Sequence, residues 1–131
     1  MAKELLHRDL CYAIVGAAME VHRELGPGLL ESVYHRALAS ELTARHLAFQ
    51  AERRVSVLYK NQIVGEFDID LLVEKKVVVE LKAVAQLNQA HQAQAINYLA
   101  ATGLELALLL NFGEPSLRYK RIVRQTTKPF A

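Results

Sequence analysis

Apolar residues recur along the first part of the chain at helical spacing. Leu10, Ile14, Ala17, Val21 and Leu25 share one face of a helix over residues 9–25, which Asp9 can cap. Gly26-Pro27-Gly28 ends it, because proline cannot continue the ladder and glycine tolerates the turn. A second helix is predicted over residues 30–46, with Tyr34, Ala37, Leu38 and Leu42 as its apolar stripe. The period then drops to two. Val55, Val57 and Tyr59 alternate within a strand over residues 52–59, and Lys60-Asn61-Gln62 supplies a turn. Residues 66–82, EFDIDLLVEKKVVVELK, read as two strands joined through Glu74-Lys75-Lys76. A third helix is expected over residues 88–102, with Asn88 as its N-cap and Gly103 as its stop. Leu106-Ala107-Leu108-Leu109-Leu110, within a strand over residues 104–112, is apolar at every position. Strands buried on both faces look like this, so helices are expected on each side of the sheet. A turn at Gly113-Glu114-Pro115-Ser116 precedes a last strand over residues 117–123. The order, ααβββαββ, is that of an α/β domain.

Charge intrudes on the central pair of strands. On the first, Phe67, Ile69, Leu71 and Val73 alternate with Glu66, Asp68, Asp70 and Leu72. On the second, Glu80 and Lys82 share a face, roughly 7 Å apart along the strand. Pairing through the 74–76 turn brings Asp70 beside Glu80, so that two carboxylates and an amine converge at the end of an apolar sheet. That set suits a hard divalent cation, which takes one or two carboxylates and fills its other positions with water and phosphate. A lysine beside it steadies negative charge on a phosphate. The plainer reading is a surface hairpin with a Glu–Lys pair on its wet face.

Composition narrows the class. At 131 residues with 52% hydrophobic content, the chain is one domain with enough apolar material for a core. Its single Cys11 excludes an internal disulfide and fits a reducing compartment. No apolar run has the length of a membrane span and the first residues lack a signal-peptide core, so a soluble cytoplasmic protein is expected. A net charge of +2 is too small to argue nucleic-acid binding. Its distribution says more: after Glu114 no acidic residue follows, while Arg118, Lys120, Arg121, Arg124 and Lys128 do. The tail from Gln125 reads as mobile. Glu31 lies three residues before Tyr34 and admits two readings. It is an anion favoured in a helix's first turn, or a third carboxylate aimed at the sheet. Gln94 and Tyr98 stand one turn apart, on a face with His91, as a row that orients water or phosphate or as a solvated edge. His22 has no second ligand at metal-binding spacing and reads as scaffold.

Several blocks together resemble a known family. GLLESVY, with Gly28, Glu31 and Tyr34, matches the GxxExxY signature of a bacterial and archaeal protein family. DLLV at Asp70, VVVELKAV around Glu80 and Lys82, QAINYL with Gln94 and Tyr98, and LLLNFG resemble that family's further blocks in the same order. The resemblance spans about residues 8–124 of the single domain. The family is similar to the PD-(D/E)xK nuclease superfamily, which implies a restriction-endonuclease-like core: a mixed sheet of about five strands flanked by helices. It also implies Asp70 and Glu80 as metal ligands, Lys82 as the catalytic lysine and Glu31 as the helix carboxylate completing the site. Gln94 and Tyr98 resemble the Gln-xxx-Tyr element of RecB-type nucleases, which positions substrate and water. Ile69 stands where the superfamily label has proline, and Asp68 is a rival to Asp70 as metal ligand.

The expectation is therefore a Mg²⁺- or Mn²⁺-dependent phosphodiesterase acting on DNA or RNA. The backbone carbonyl of Leu81 is a further candidate ligand, and Arg118, Lys120 and Arg124 are candidate contacts to the nucleic-acid backbone. A homodimer is expected if a small domain is to embrace a duplex. The rival is a catalytically silent module that keeps the nuclease fold and binds nucleic acid or a protein. An iron or small-ligand accessory is disfavoured by the lone cysteine and the lack of a histidine cluster.

Overall fold

A computed structural model describes residues 6–124; the tail expected from Gln125 and the first five residues lie outside them. The elements are α1 (Arg8–Leu25), α2 (Glu31–Ala44), β1 (Phe49–Tyr59), β2 (Gln62–Val73), β3 (Val77–Lys82), α3 (Gln89–Thr102), β4 (Leu106–Asn111) and β5 (Arg118–Val123). Their order is the expected one, ααβββαββ. The five strands lie in sequence order across one mixed sheet. Only β3 and β4 run parallel, and α3 is the crossover between them. This is consistent with a restriction-endonuclease-like fold.

Two apolar layers hold the sheet. Leu71, Val73, Val77, Val79, Leu81, Leu106, Leu108 and Leu110 pack against Ile14, Ala17, Val21, Tyr34, Leu38 and Leu42 of α1 and α2. On the opposite face Leu72, Val78, Ala107, Leu109 and Ile122 pack against Ala95 and Leu99 of α3. The unbroken apolar run of β4 is thus divided between two cores, residue by residue, as burial on both faces requires.

The helix ends depart from expectation in one place. Asp9 lies in the first turn of α1 and does not cap it; His7 is the N-cap residue, without a side-chain bond. Asn88 does cap α3, accepting from the His91 N–H while the His91 ring accepts from the Asn88 N–H, and Gly103 ends the helix at φ 78°. The Tyr34 hydroxyl donates to the Gly26 carbonyl and accepts from the Leu29 N–H at 3.2 Å, pinning the Gly-Pro-Gly turn to α2. Its ring stacks on Phe112 at 4.7 Å. His22 is buried and bonded to the Glu114 carbonyl at 2.9 Å.

Candidate active site

β2 and β3 pair at Val73↔Val77, Leu72↔Val78 and Leu71↔Val79, and there the ladder stops. One step further stand Asp70 and Glu80, whose side chains replace it. The Asp70 N–H donates to Glu80 Oε2 at 3.0 Å, and the Leu81 N–H donates to Asp70 Oδ2 at 2.8 Å. The ladder from β2 to β1 also skips this position. Ala51 pairs with Leu71 and Arg53 with Ile69, while Glu52 between them takes φ 53°. No residue is inserted there, since the register is the same on either side of the gap, but the unpaired Glu52–Asp70 step breaks the regular pleat. Phe67 and Ile69 accordingly join the α3 core while Leu71 and Val73 join the other, although simple alternation puts all four on one face.

β3 presents the rest. The Lys82 carbonyl accepts from the N–H of Phe112, just past β4, so the peptide groups of Leu81 face β2 and its carbonyl opens into the parted segment. Lys82 Nζ donates to Gln94 Oε1 of α3 at 2.9 Å. Tyr98, one turn beyond Gln94, stacks on Phe67 with ring centroids 4.0 Å apart. Burial, then the charges of Glu80 and Asp70, push the Tyr98 hydroxyl up to about 12, so it stays protonated and can donate. Glu80 is only 4% exposed. Burial first, then the Asp70 charge, raise its carboxyl to about 8, against the pull of the Asp70 N–H and of Lys82.

Glu31 stands exposed in the first turn of α2. Partial burial and the Asp70 charge raise its carboxyl, while Lys82 and His35 lower it. Its helix meets Asp70 one turn further on, where His35 Nε2 lies 3.0 Å from the Asp70 carbonyl. Among the described residues, no three of His, Cys, Asp or Glu already close on one point as metal ligands would. Asp68 is drawn away: it is exposed and accepts from Arg54 Nε of β1 at 2.9 Å, which holds its carboxyl below the usual range.

The basic residues divide. Arg118 opens β5 opposite Asn111, the neighbour of Lys82, and pairs with Glu114 at 3.5 Å. Lys120 is exposed on the same edge strand. Arg124 follows Val123, which pairs with Leu106 at the far end of β4, and its N–H bonds the Glu105 carbonyl. The three do not line one rim.

Two residues at the site escaped the sequence reading. His35 Nε2 lies 3.0 Å from the Asp70 carbonyl; its place four residues after Glu31, on the same helix face, was the available signal. Asn111 is fully buried, and its amide bonds both the N–H and the carbonyl of Val84, at 3.0 and 2.9 Å. A polar residue ending an all-apolar strand was the signal there.

An α/β sheet with a parted strand pair bearing two carboxylates, beside a lysine held from the crossover helix, has the architecture of a nuclease-like domain. A sequence model of the PD-(D/E)XK nuclease superfamily matches residues 8–123, and the chain belongs to that superfamily. Among solved structures, the crystal structure of SSO0001 is similar in fold, with a TM-score of 0.57 at 17% identity, covering 71% of this chain. The aligned part is 49% of that protein, so this chain spans about half its length. No curated protein matches the chain.

Proposed function

We propose that this domain hydrolyses phosphodiester bonds of DNA or RNA with the help of Mg²⁺ or Mn²⁺. The observation that carries the reading is the interlock of Asp70 and Glu80 where β2 and β3 part, with Lys82 held beside it by Gln94. The donor set fits a hard cation: two carboxylates, one of them buried, face each other with their like charges only partly opposed by Lys82. Asp70, Glu80 and the Leu81 carbonyl would hold the ion, with Glu31 at the rim. When bound, the ion polarises the scissile phosphate and eases formation of hydroxide from water. Gln94 fixes Lys82 through one ammonium proton, leaving two donors for the phosphate oxygens as their charge grows. Tyr98, protonated and backed by Phe67, offers a further donor to the phosphate or the attacking water. Arg118 and Lys120 supply contacts to the nucleic-acid backbone, and Arg124, at the other end of the sheet, reaches only a strand that crosses it. A second copy of the chain completes the grip on a duplex.

Cleavage of single- and double-stranded DNA and RNA with Mg²⁺ or Mn²⁺ tests the reading. Lys82→Ala and Asp70→Ala are each expected to lower kcat by at least about 100-fold. Activity that survives both substitutions ends it. The second reading, a silent nuclease-fold module, is favoured by one observation: each carboxylate accepts a main-chain N–H across the parted strands and so has a structural role of its own. Calorimetry that finds no divalent-ion uptake, with nucleic acid still bound in EDTA, decides for it.

A further inference from the structure

Asp70 is bonded in an unusual way. Its N–H is taken by one side chain (Glu80), its carboxylate by a main-chain N–H (Leu81), and its carbonyl by another side chain, the imidazole of His35. The sheet ladder on the β3 side stops at Leu71↔Val79, and on the β1 side it skips from Leu71 to Ile69. Asp70 thus sits where the backbone hydrogen bonds that normally fix a strand are missing on both flanks. A carbonyl half-shielded from water at such a point costs free energy unless a donor meets it.

We propose that His35 is a positioning residue of this site: through its bond to the Asp70 carbonyl it anchors the parted segment of β2, so that the Asp70 and Glu80 carboxyl groups face the same gap. This inference rests on the metal-dependent reading only for its consequence in catalysis; the anchoring itself does not require it. A carbonyl only accepts, so His35 Nε2 carries the proton and donates. The donor is delivered from α2, whose own placement is fixed by Tyr34 on the Gly26 turn and by Leu38 and Leu42 in the core. One helix face therefore carries both Glu31 and the anchor, His35, four residues apart. The arrangement resembles the outer partners that orient metal ligands elsewhere, whose loss weakens metal affinity or activity by roughly 10- to 100-fold. Here the partner grips the ligand's main chain.

The test compares His35→Leu, which fills the space without a donor, with His35→Gln, whose amide reaches as far as Nε2 and restores one. In metal-free protein, amide hydrogen exchange by NMR reads the anchor directly. The expected result is a roughly tenfold loss of protection at the Asp70 and Leu81 amides in His35→Leu, with the Leu108 amide unchanged and protection recovered in His35→Gln. Equal protection in wild type and His35→Leu overturns the proposal, as does a uniform loss at all three amides. Titration with Mn²⁺ then reads the consequence: about a tenfold weaker Kd for His35→Leu and a value near wild type for His35→Gln. Wild-type protein that takes up no Mn²⁺ overturns the metal-dependent reading instead, while the amide measurement still decides the anchor.

Discussion

Glu80 carries the sharpest residue-scale consequence. Its carboxyl is raised from 4.5 to about 8 by burial and by Asp70, so the native state keeps a proton that the unfolded chain has released. Stability contributed by this group is whole below about pH 4.5, falls as pH rises, and levels off above about pH 8. The total is on the order of a few kcal/mol. Denaturant melts of metal-free protein at pH 5 and pH 8 are expected to show this loss in wild type and to lose most of it in Glu80→Gln. Equal slopes in the two proteins would place the carboxyl in water. Residue identity at this scale was only half legible. Alternation makes Asp68 and Asp70 equivalent, both two-residue neighbours on one strand face. The distinction comes from across the ladder: Arg54 takes Asp68, and Glu80 takes the Asp70 N–H. Glu31 admits two readings in sequence, a dipole partner or a site carboxylate, and the structure adds that its helix meets Asp70 at His35, one turn further on.

At the scale of elements, the end of β3 is set by a clamp on the loop behind it. Asn111, ending β4 beside Lys82, holds both the N–H and the carbonyl of Val84, and its amide also donates to Glu114 at 2.8 Å. Gly113 passes so close that a Cβ there would fall on the Val84 backbone. Gly113→Ala must therefore move a main chain that Asn111 fixes, at a cost of about 1–3 kcal/mol. A thermal melt is expected to fall by several degrees, and a cleavage assay well below the melting range to show a loss of kcat as Lys82 shifts. Unchanged melting and unchanged kcat would mean that the loop yields freely. Element type was well marked in the sequence, since helices and strands differ in period over many residues. Strand length was not. β1 and β2 run to Phe49–Tyr59 and Gln62–Val73, beyond the apolar alternation, because each supplies the other's ladder whatever the side chains. Their far end exposes Leu58, Tyr59, Ile63 and Val64.

For the whole molecule, an ion that needs both carboxylates ionised must displace the Glu80 proton, so its binding strengthens as pH rises toward about 8. On the proposed metal-dependent reading, Mn²⁺ at about 100 times its Kd would add about 2.7 kcal/mol of stability. Scanning calorimetry with a fixed Mn²⁺ concentration is expected to show a larger rise in Tm at pH 8 than at pH 6. A rise that is absent, or the same at both pH values, would speak against a cation at this pair. Among the described residues no helix is long and apolar enough to cross a membrane. The chain by itself determined the element order and the two-sided burial of β4, because period is a property of neighbours in sequence, and its resemblance to the nuclease superfamily nominated Glu31, Asp70, Glu80, Lys82, Gln94 and Tyr98 as candidates. Only the tertiary structure decided that β2 turns at Asp70, that Arg54 claims Asp68, and that His35 and Asn111 support the site. Each of those depends on hydrogen bonds between residues far apart in the chain, closed only when the strands and helices pack and leave particular main-chain groups without a ladder partner.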